Sequence, residues 1–228
     1  MSAESFRKLG RFITFEGGEG SGKSTHAAQL AERLKARGID VVLTREPGGS
    51  PGAEIIRHII LSGIAKPLGT ETEAILFAAA RDDHVKETIL PALTSGKWVV
   101  CDRFIDSTRV YQGALGKVDM KLIRGLERVT VGEAMPDLTI LIDVPANIGL
   151  ARASTRRGTG VADRFEAESV EFHESLRLAF LDVARKEPRR FAVIDGRPPR
   201  DVVAETIWET VEARLLGAPA IVAESAVS

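Results

Sequence analysis

Phe12-Ile13-Thr14-Phe15-Glu16-Gly17-Gly18-Glu19-Gly20-Ser21-Gly22-Lys23-Ser24 decides how the rest of the chain is read. The first five residues are a short β-prone run, and Gly17 to Ser24 match the P-loop pattern G-x-x-x-x-G-K-[S/T] at every fixed position. A buried strand delivers the chain to a turn in which Gly17, Gly20 and Gly22 allow backbone angles closed to other residues. Successive N–H groups in such a turn point inward and cradle a phosphate. A helix starting near Lys23 aims the positive end of its dipole at the same anion. Gly17, Gly18, Glu19, Gly20, Ser21, Gly22, Lys23 and Ser24 are therefore the candidate nucleotide-binding residues. Lys23 can reach the β- and γ-phosphates, and the Ser24 hydroxyl can ligate Mg²⁺. The alternative is a glycine-rich turn that binds nothing. Strand, loop and amphipathic helix in the required order argue against it.

Outward from the loop, Ala27, Leu30, Ala31 and Leu34 recur at i, i+3, i+4 and i+7, with Gly38 as a stop. Short β-branched runs at Phe12–Glu16, 41–44, Trp98–Asp102, Leu138–Asp143 and Phe191–Asp195 alternate with helical stretches. That alternation predicts an α/β fold, a five-stranded parallel sheet with helices on both faces. A long helix is expected over about 71–93, and Phe172, Leu176, Phe180 and Val183 form an apolar helical stripe. With 228 residues the chain suits one domain, over 11–216, between an N-terminal extension (1–10) and a flexible tail (217–228). Apolar residues make up 44% and charged residues 28%, an ordinary globular balance. A net charge of −1 gives no basic footprint for nucleic acid. Cys101 stands alone, which excludes an internal disulfide and suits a reducing compartment. No apolar run approaches the ~18 residues of a membrane span, and residues 1–10 do not read as a secretory signal. A cytoplasmic protein without a nucleic-acid or membrane partner is expected.

The chemistry gathers at strand ends, where parallel sheets place their ligands. In Thr44-Arg45-Glu46-Pro47-Gly48-Gly49 the Arg45-Glu46 pair faces the same cleft as the P-loop, unless it is an ordinary surface ion pair. Phe77 and Arg81 are four apart and share a helix face. A ring beside a guanidinium suits a flat base, the ring stacking and the arginine donating to a carbonyl oxygen. The same two residues also suit a core ring and a solvated charge. Asp102-Arg103-Phe104 ends the third strand: Asp102 is a candidate Mg²⁺ carboxylate, and Arg103 can grip a second phosphate. Asp143 is a rival for the metal; Asp102 is preferred because the Asp-Arg pair offers metal and anion contacts together. Ser107, Thr108, Tyr111 and Gln112 follow, with polar tips suited to sugar or base edges, or to solvent. His26 reads as packing or solvent-facing rather than catalytic. Arg152, Arg156, Arg157 and Arg164, spread around two glycines, read as a short arginine-rich lid over about 152–166.

One P-loop holds one nucleotide, which leaves Arg45, Arg103 and the lid to be explained. A GTPase is expected to carry Asn-Lys-x-Asp late in the chain, and this sequence has none. A kinase whose acceptor is itself a phosphate explains the surplus charge. Such an acceptor needs no general base, because its second pKa is ~6. Catalysis is then alignment plus charge neutralisation by Mg²⁺, Lys23, Arg103 and the lid arginines Arg156, Arg157 and Arg164.

From about residue 11 to 216 these motifs resemble the bacterial thymidylate kinases. The resemblance rests on Phe15 through Ser24, Thr44-Arg45-Glu46-Pro47-Gly48-Gly49, Phe77-Ala78-Ala79-Ala80-Arg81, Asp102-Arg103-Phe104, Ser107-Thr108, Tyr111-Gln112-Gly113 and Asp163-Arg164-Phe165-Glu166. It implies phosphorylation of dTMP to dTDP with ATP and Mg²⁺, in dTTP biosynthesis, by a homodimer. It implies that Glu19 approaches the acceptor 3′-hydroxyl, Phe77 stacks on thymine and Arg81 donates to O4. Arg103, with Arg45 as a second candidate, would hold the acceptor phosphate. Thr108 would meet the base edge, and Tyr111 and Gln112 would crowd the 2′ position. In this family the catalytic arginine sits in the P-loop or in the lid. Gly18, Glu19, Gly20 and Ser21 include none, so the chain resembles the lid-arginine type, with Arg156 and Arg157 both open as the finger. The alternatives are a UMP/CMP-type kinase, against which Phe77, Arg81 and Tyr111 argue, and a non-catalytic nucleotide sensor.

Overall fold

The computed structural model describes residues 9–157, 165 and 167–217. Strands β1 (Phe12–Glu16), β2 (Val41–Arg45), β3 (Trp98–Asp102), β4 (Leu138–Asp143) and β5 (Phe191–Asp195) form one parallel sheet in the order β2-β3-β1-β4-β5. All five expected strands are present, β2 with one residue more. The chain leaves β1 at the centre, reaches β2 and β3 on one side, then crosses to β4 and β5 on the other. Strand order therefore reverses at β1, and the crevice opens beyond its carboxyl end, where the glycine-rich loop lies.

The helices are α1 (Lys23–Ala36), α2 (Pro51–Leu61), α3 (Thr70–His84), α4 (Leu90–Thr94), α5 (Ile105–Thr108), α6 (Met120–Thr130), α7 (Ala146–Arg157), α8 (Val170–Lys186) and α9 (Arg200–Val211). Alternation along the strands sends successive side chains to opposite faces. Ile13, Phe15, Val100, Ile140 and Ile194 pack with Ala27, Leu30 and Leu34 of α1 and Ile207 and Trp208 of α9. Phe12, Val99 and Cys101 pack on the other face with Val85, Ile89 and Leu93. There α8 lays Leu176 and Phe180 against Leu141 and Phe191.

Two local expectations change, and one helix is added. The helix expected over 71–93 is α3, a π-helical turn (Val85–Ile89) and α4, with Pro91 in the first turn of α4, where its missing N–H and its ring interrupt the regular ladder. On α8 the buried stripe is His173, Leu176, Phe180 and Ala184; Phe172 and Val183 lie at its margins. Helix α2 follows Gly49, where the sequence suggests no element: Pro51 occupies its first position, where a fixed φ and an absent N–H cost nothing. Most of the 1–10 extension and the 217–228 tail lie outside the described residues, as do Asp163, Arg164 and Glu166 of the expected lid. Among the described residues no helix is long and apolar enough to cross a membrane.

Candidate active site

Gly17, Gly20 and Gly22 all adopt positive φ, 138°, 67° and 97°, as the loop pattern demands. Gly20 also admits a neighbour. A Cβ there would stand 1.9 Å from the Gly149 carbonyl oxygen, and one at Gly149 would stand 2.4 Å from the Glu19 carbonyl. Helix α7 thus docks directly on the loop through Gly149, a residue with no motif around it in the sequence. Lys23 is buried at the start of α1, its Nζ donating to the Gly18 carbonyl at 2.8 Å. Burial, then the nearby Arg103 charge, lowers its pKa to about 8 despite Glu19, Asp102 and Glu16.

Arg103 has φ 68°, a left-handed conformation that costs a residue with a Cβ about 1–2 kcal/mol. What offsets it is Glu16, fully buried at the end of β1. Its Oε1 accepts from Phe104 N at 2.8 Å and Ser107 N at 3.3 Å, and its Oε2 accepts from Ser107 Oγ at 2.7 Å. Three such hydrogen bonds, even at the neutral-group value of about 0.5–1.5 kcal/mol each, are enough to hold the turn. The turn sends the Arg103 side chain back over the loop, Nη1 to the Gly17 carbonyl at 3.4 Å and Nη2 to Glu19 Oε1. Burial raises Glu19, but Arg103 and Lys23 outweigh it and bring its pKa down to about 2.

Glu16 moves the other way. Burial, with the Asp106 charge, raises it from 4.5 to about 7 against the pull of Arg103 and its hydrogen bonds. The folded chain therefore binds this proton more tightly than the unfolded one. The stability Glu16 adds is full below about pH 4.5 and is lost as pH rises through 7. Urea titrations should show wild-type stability falling relative to Glu16→Gln across that window; parallel profiles would contradict the assignment.

Ser24 Oγ donates to Asp102 Oδ2, while Asp102 Oδ1 is buried with no hydrogen-bond partner. An orphaned carboxylate oxygen beside a hydroxyl, at the phosphate loop, fits Mg²⁺, which takes one or two protein ligands and completes its shell with phosphate and water. Among the described residues no group of three or more His, Cys, Asp or Glu could hold a metal. Asp143, the rival for this role, is occupied: Arg177 Nε and Nη2 grip its oxygens at 2.6 and 3.0 Å.

On one side of the loop a cavity of about 210 Å³ is lined by Glu19, Arg45, Phe77, Arg103, Thr108, Tyr111, Gln112 and Phe165. Of the expected base and sugar contacts, only Arg81 does not line it. Its Nε donates to Glu46 Oε2 at 2.8 Å, and its Nη2 to the Phe104 carbonyl at 3.2 Å and Thr108 Oγ1 at 3.1 Å. The Tyr111 hydroxyl donates to Glu19 at 3.3 Å, and Phe165 meets the Tyr111 ring edge-on at 5.2 Å. Gln112 Nε2 donates to the buried Glu73 at 2.7 Å. Arg45 is exposed and pairs with Glu54. Arg57 of α2 also lines this wall and donates to the Pro47 carbonyl at 2.5 Å. Sequence reading missed Arg57 together with its helix.

A smaller cavity of about 110 Å³, lined by Lys23, Ser24, Asp102, Arg103 and Arg156, shares walls with the first. A third, of about 500 Å³, lies beyond Gly20 and Gly22 and is lined by His26, Arg152, Arg197 and Arg200. The three form one trough with the P-loop as its middle floor. Arg152 is not a free lid cation: it donates to the Gly196 and Arg197 carbonyls at 2.8 and 3.3 Å. Arg157 lines none of these three cavities, and Arg164 lies outside the described residues.

The family model described as thymidylate kinase matches residues 15–207. A protein named thymidylate kinase from Afipia carboxidovorans is 60% identical over 209 residues, covering 92% of each chain. Its namesake from Bradyrhizobium sp. (strain ORS 278) is 57% identical over 211 residues, covering 92% of this chain and 93% of its own. The crystal structure of thymidylate kinase from Ehrlichia chaffeensis superposes with a TM-score of 0.72 at 34% identity, over 89% of this chain and 98% of that one. With the family model matched from residue 15 to 207 and these relatives covered over about nine-tenths of the chain, this chain belongs to the thymidylate kinase family.

Proposed function

We propose that this chain phosphorylates dTMP to dTDP with ATP. The observation that carries the reading is the trough: a base-sized cavity with an aromatic wall, a cationic middle and a larger third cavity, adjoining one another along one P-loop. In this reading dTMP occupies the Phe77 cavity, with the ring stacked on thymine, Glu19 at the 3′-hydroxyl and Tyr111 against the 2′ position. Arg81 donates to O4 through Nη1, the nitrogen not committed to Glu46, Phe104 or Thr108. Arg103 holds the acceptor phosphate, and Arg57 and Arg45 add charge beside it. The ATP base and ribose take the cavity beyond Gly22, between His26 and Arg197, and the phosphates lie along Gly17 to Ser24.

An oxygen of the dTMP phosphate attacks the γ-phosphorus, the bond to the β–γ bridging oxygen breaks, and ADP leaves. No proton need be removed, since the acceptor is largely dianionic at neutral pH. Lys23 and Arg156, which both line the middle cavity, neutralise the moving charge. Ser24 and Asp102 would hold Mg²⁺, which would supply further positive charge to the phosphates. Exposed Ile55 on α2, Leu68, and Ile75 on α3 offer an apolar face that supports a homodimer, which light scattering at two chain masses would bear out. The lone buried thiol of Cys101 suits a reducing cytoplasm.

An ADP-release assay across nucleoside monophosphates tests the function. Turnover with dTMP and none with AMP or GMP is expected; the reverse pattern overturns the reading.

A further inference from the structure

Helix α3 carries Glu73, Phe77 and Arg81 at i, i+4 and i+8, one continuous stripe. Opposite it, Thr108 and Gln112 stand four apart where α5 runs into the π-helical turn (Arg109–Leu115). Two hydrogen bonds join the stripes: Arg81 Nη2 to Thr108 Oγ1 at 3.1 Å, and Gln112 Nε2 to Glu73 Oε1 at 2.7 Å. Phe77 lies between these two cross-links in the stripe, at the level where a stacked base would lie. Gln112 therefore belongs with Thr108 and Phe77 at the base edge, rather than with Tyr111 at the sugar.

The two ends of this arrangement differ in one respect. A guanidinium presents only donors, so Arg81 reads as a donor however it sits. A carboxamide presents a donor or an acceptor depending on which way it is turned. Glu73 and Gln112 are both buried, at 3% and 2% exposure, and only Gln112 lines the acceptor cavity. An acceptor-only carboxylate behind the amide takes the NH₂ group and leaves Oε1 for the cavity. Turning the amide over would set two oxygens against each other in a buried site.

We propose that Glu73 is a positioning residue for base selection: it fixes the Gln112 amide with its oxygen toward the base, so that the site demands an N3–H. Thymine carries that proton and an O4 acceptor for Arg81. Cytosine offers an unprotonated N3 and a 4-amino donor, and meets like against like at both ends. The inference rests on the dTMP reading above. It deepens it by naming a residue that never touches the substrate as the one that sets the sign of the recognition.

The test compares kcat/KM for dTMP and 5-methyl-dCMP, which differ only at C4 and N3, in wild type, Glu73→Gln and Glu73→Asp. A neutral amide at 73 accepts either orientation of Gln112. Glu73→Gln should narrow the dTMP to 5-methyl-dCMP ratio by tenfold or more, and Glu73→Asp should keep more of it. A purely structural role would lower both constants together, and an unchanged ratio in Glu73→Gln would overturn the proposal. A second measurement needs no folded variant at position 73. In wild type, one Gln112 side-chain amide proton, assigned by its loss in Gln112→Met, should be shifted downfield by the carboxylate and stay so when dTMP is added. Loss of that shift on binding would mean that the amide has turned, and the proposal fails. Absence of any wild-type turnover of dTMP would overturn the functional reading as well, whereas an unchanged ratio overturns this inference alone.

Discussion

Lys23→Met is expected to lower kcat by at least about 10³ while the protein keeps its fold and gains thermal stability at pH 7. The first half follows from position. Lys23 sits at the floor of the middle cavity, within reach of both Gly18 and the Asp102–Ser24 pair. A buried cation aimed at the transferring group acts where water screens it little, so its removal is felt mostly in the transition state. The second half follows from its pKa, lowered from 10.5 to about 8, chiefly by burial. The unfolded chain binds this proton more tightly, so holding it in the fold costs roughly a few kcal/mol below pH 8. Methionine fills the same space without that cost. The gain in unfolding midpoint should therefore shrink as pH rises from about 8 through 10.5, above which the wild-type ammonium is lost in both states. Steady-state assays and thermal melts read the two halves separately. A variant that is both inactive and less stable at pH 7 would show that Lys23 is held by its neighbours more strongly than burial opposes it.

The same division between local pattern and distant contact decides what the sequence could reveal. The sheet was legible because each strand is a short apolar run whose alternation matches two buried faces, and the P-loop because its glycines answer a purely local demand on φ. Helix α2 was hidden by Pro47-Gly48-Gly49 and Pro51-Gly52, which read as turn chemistry although Pro51 opens a helix. The motif residues Phe77, Arg103, Thr108, Tyr111 and Gln112 do converge on one cavity. The carboxylates that hold them were not foreseeable. Glu16 acts on residues 88 and 91 positions away, Glu46 on Arg81 35 away, and Glu73 on Gln112 39 away. Spacing puts Glu73 on the stripe of Phe77 and Arg81, but nothing local names the residue across the fold that each of these glutamates holds. The lid arginines show the converse: Arg152 looks like its neighbours in sequence, yet its guanidinium is spent on two backbone carbonyls.

Arg156→Ala is expected to reduce kcat by about 10²–10³ or more with the KM for dTMP changed by only a few-fold, and Arg157→Ala to leave kcat within about fivefold. Helix geometry separates two residues that the sequence leaves equal. Gly149 fixes one face of α7 against the P-loop, since its missing Cβ admits the Glu19 carbonyl. Residues at i+3 and i+7 from Gly149 share that face, and these are Arg152 and Arg156. Arg152 ties the helix to the loop after β5, and Arg156, one turn further, lines the cavity that also holds Lys23, Asp102 and Arg103. Arg157 is turned about 100° away. The P-loop itself carries no arginine, so α7 and the lid are left to supply the finger beside Lys23. Arg156→Lys sharpens the test. A point charge on a flexible stem replaces a planar fork, so activity should fall between wild type and Arg156→Ala. If Arg157→Ala costs as much as Arg156→Ala, helix α7 must rotate or extend when both substrates bind, and the finger is then the residue which that motion brings over the γ-phosphate.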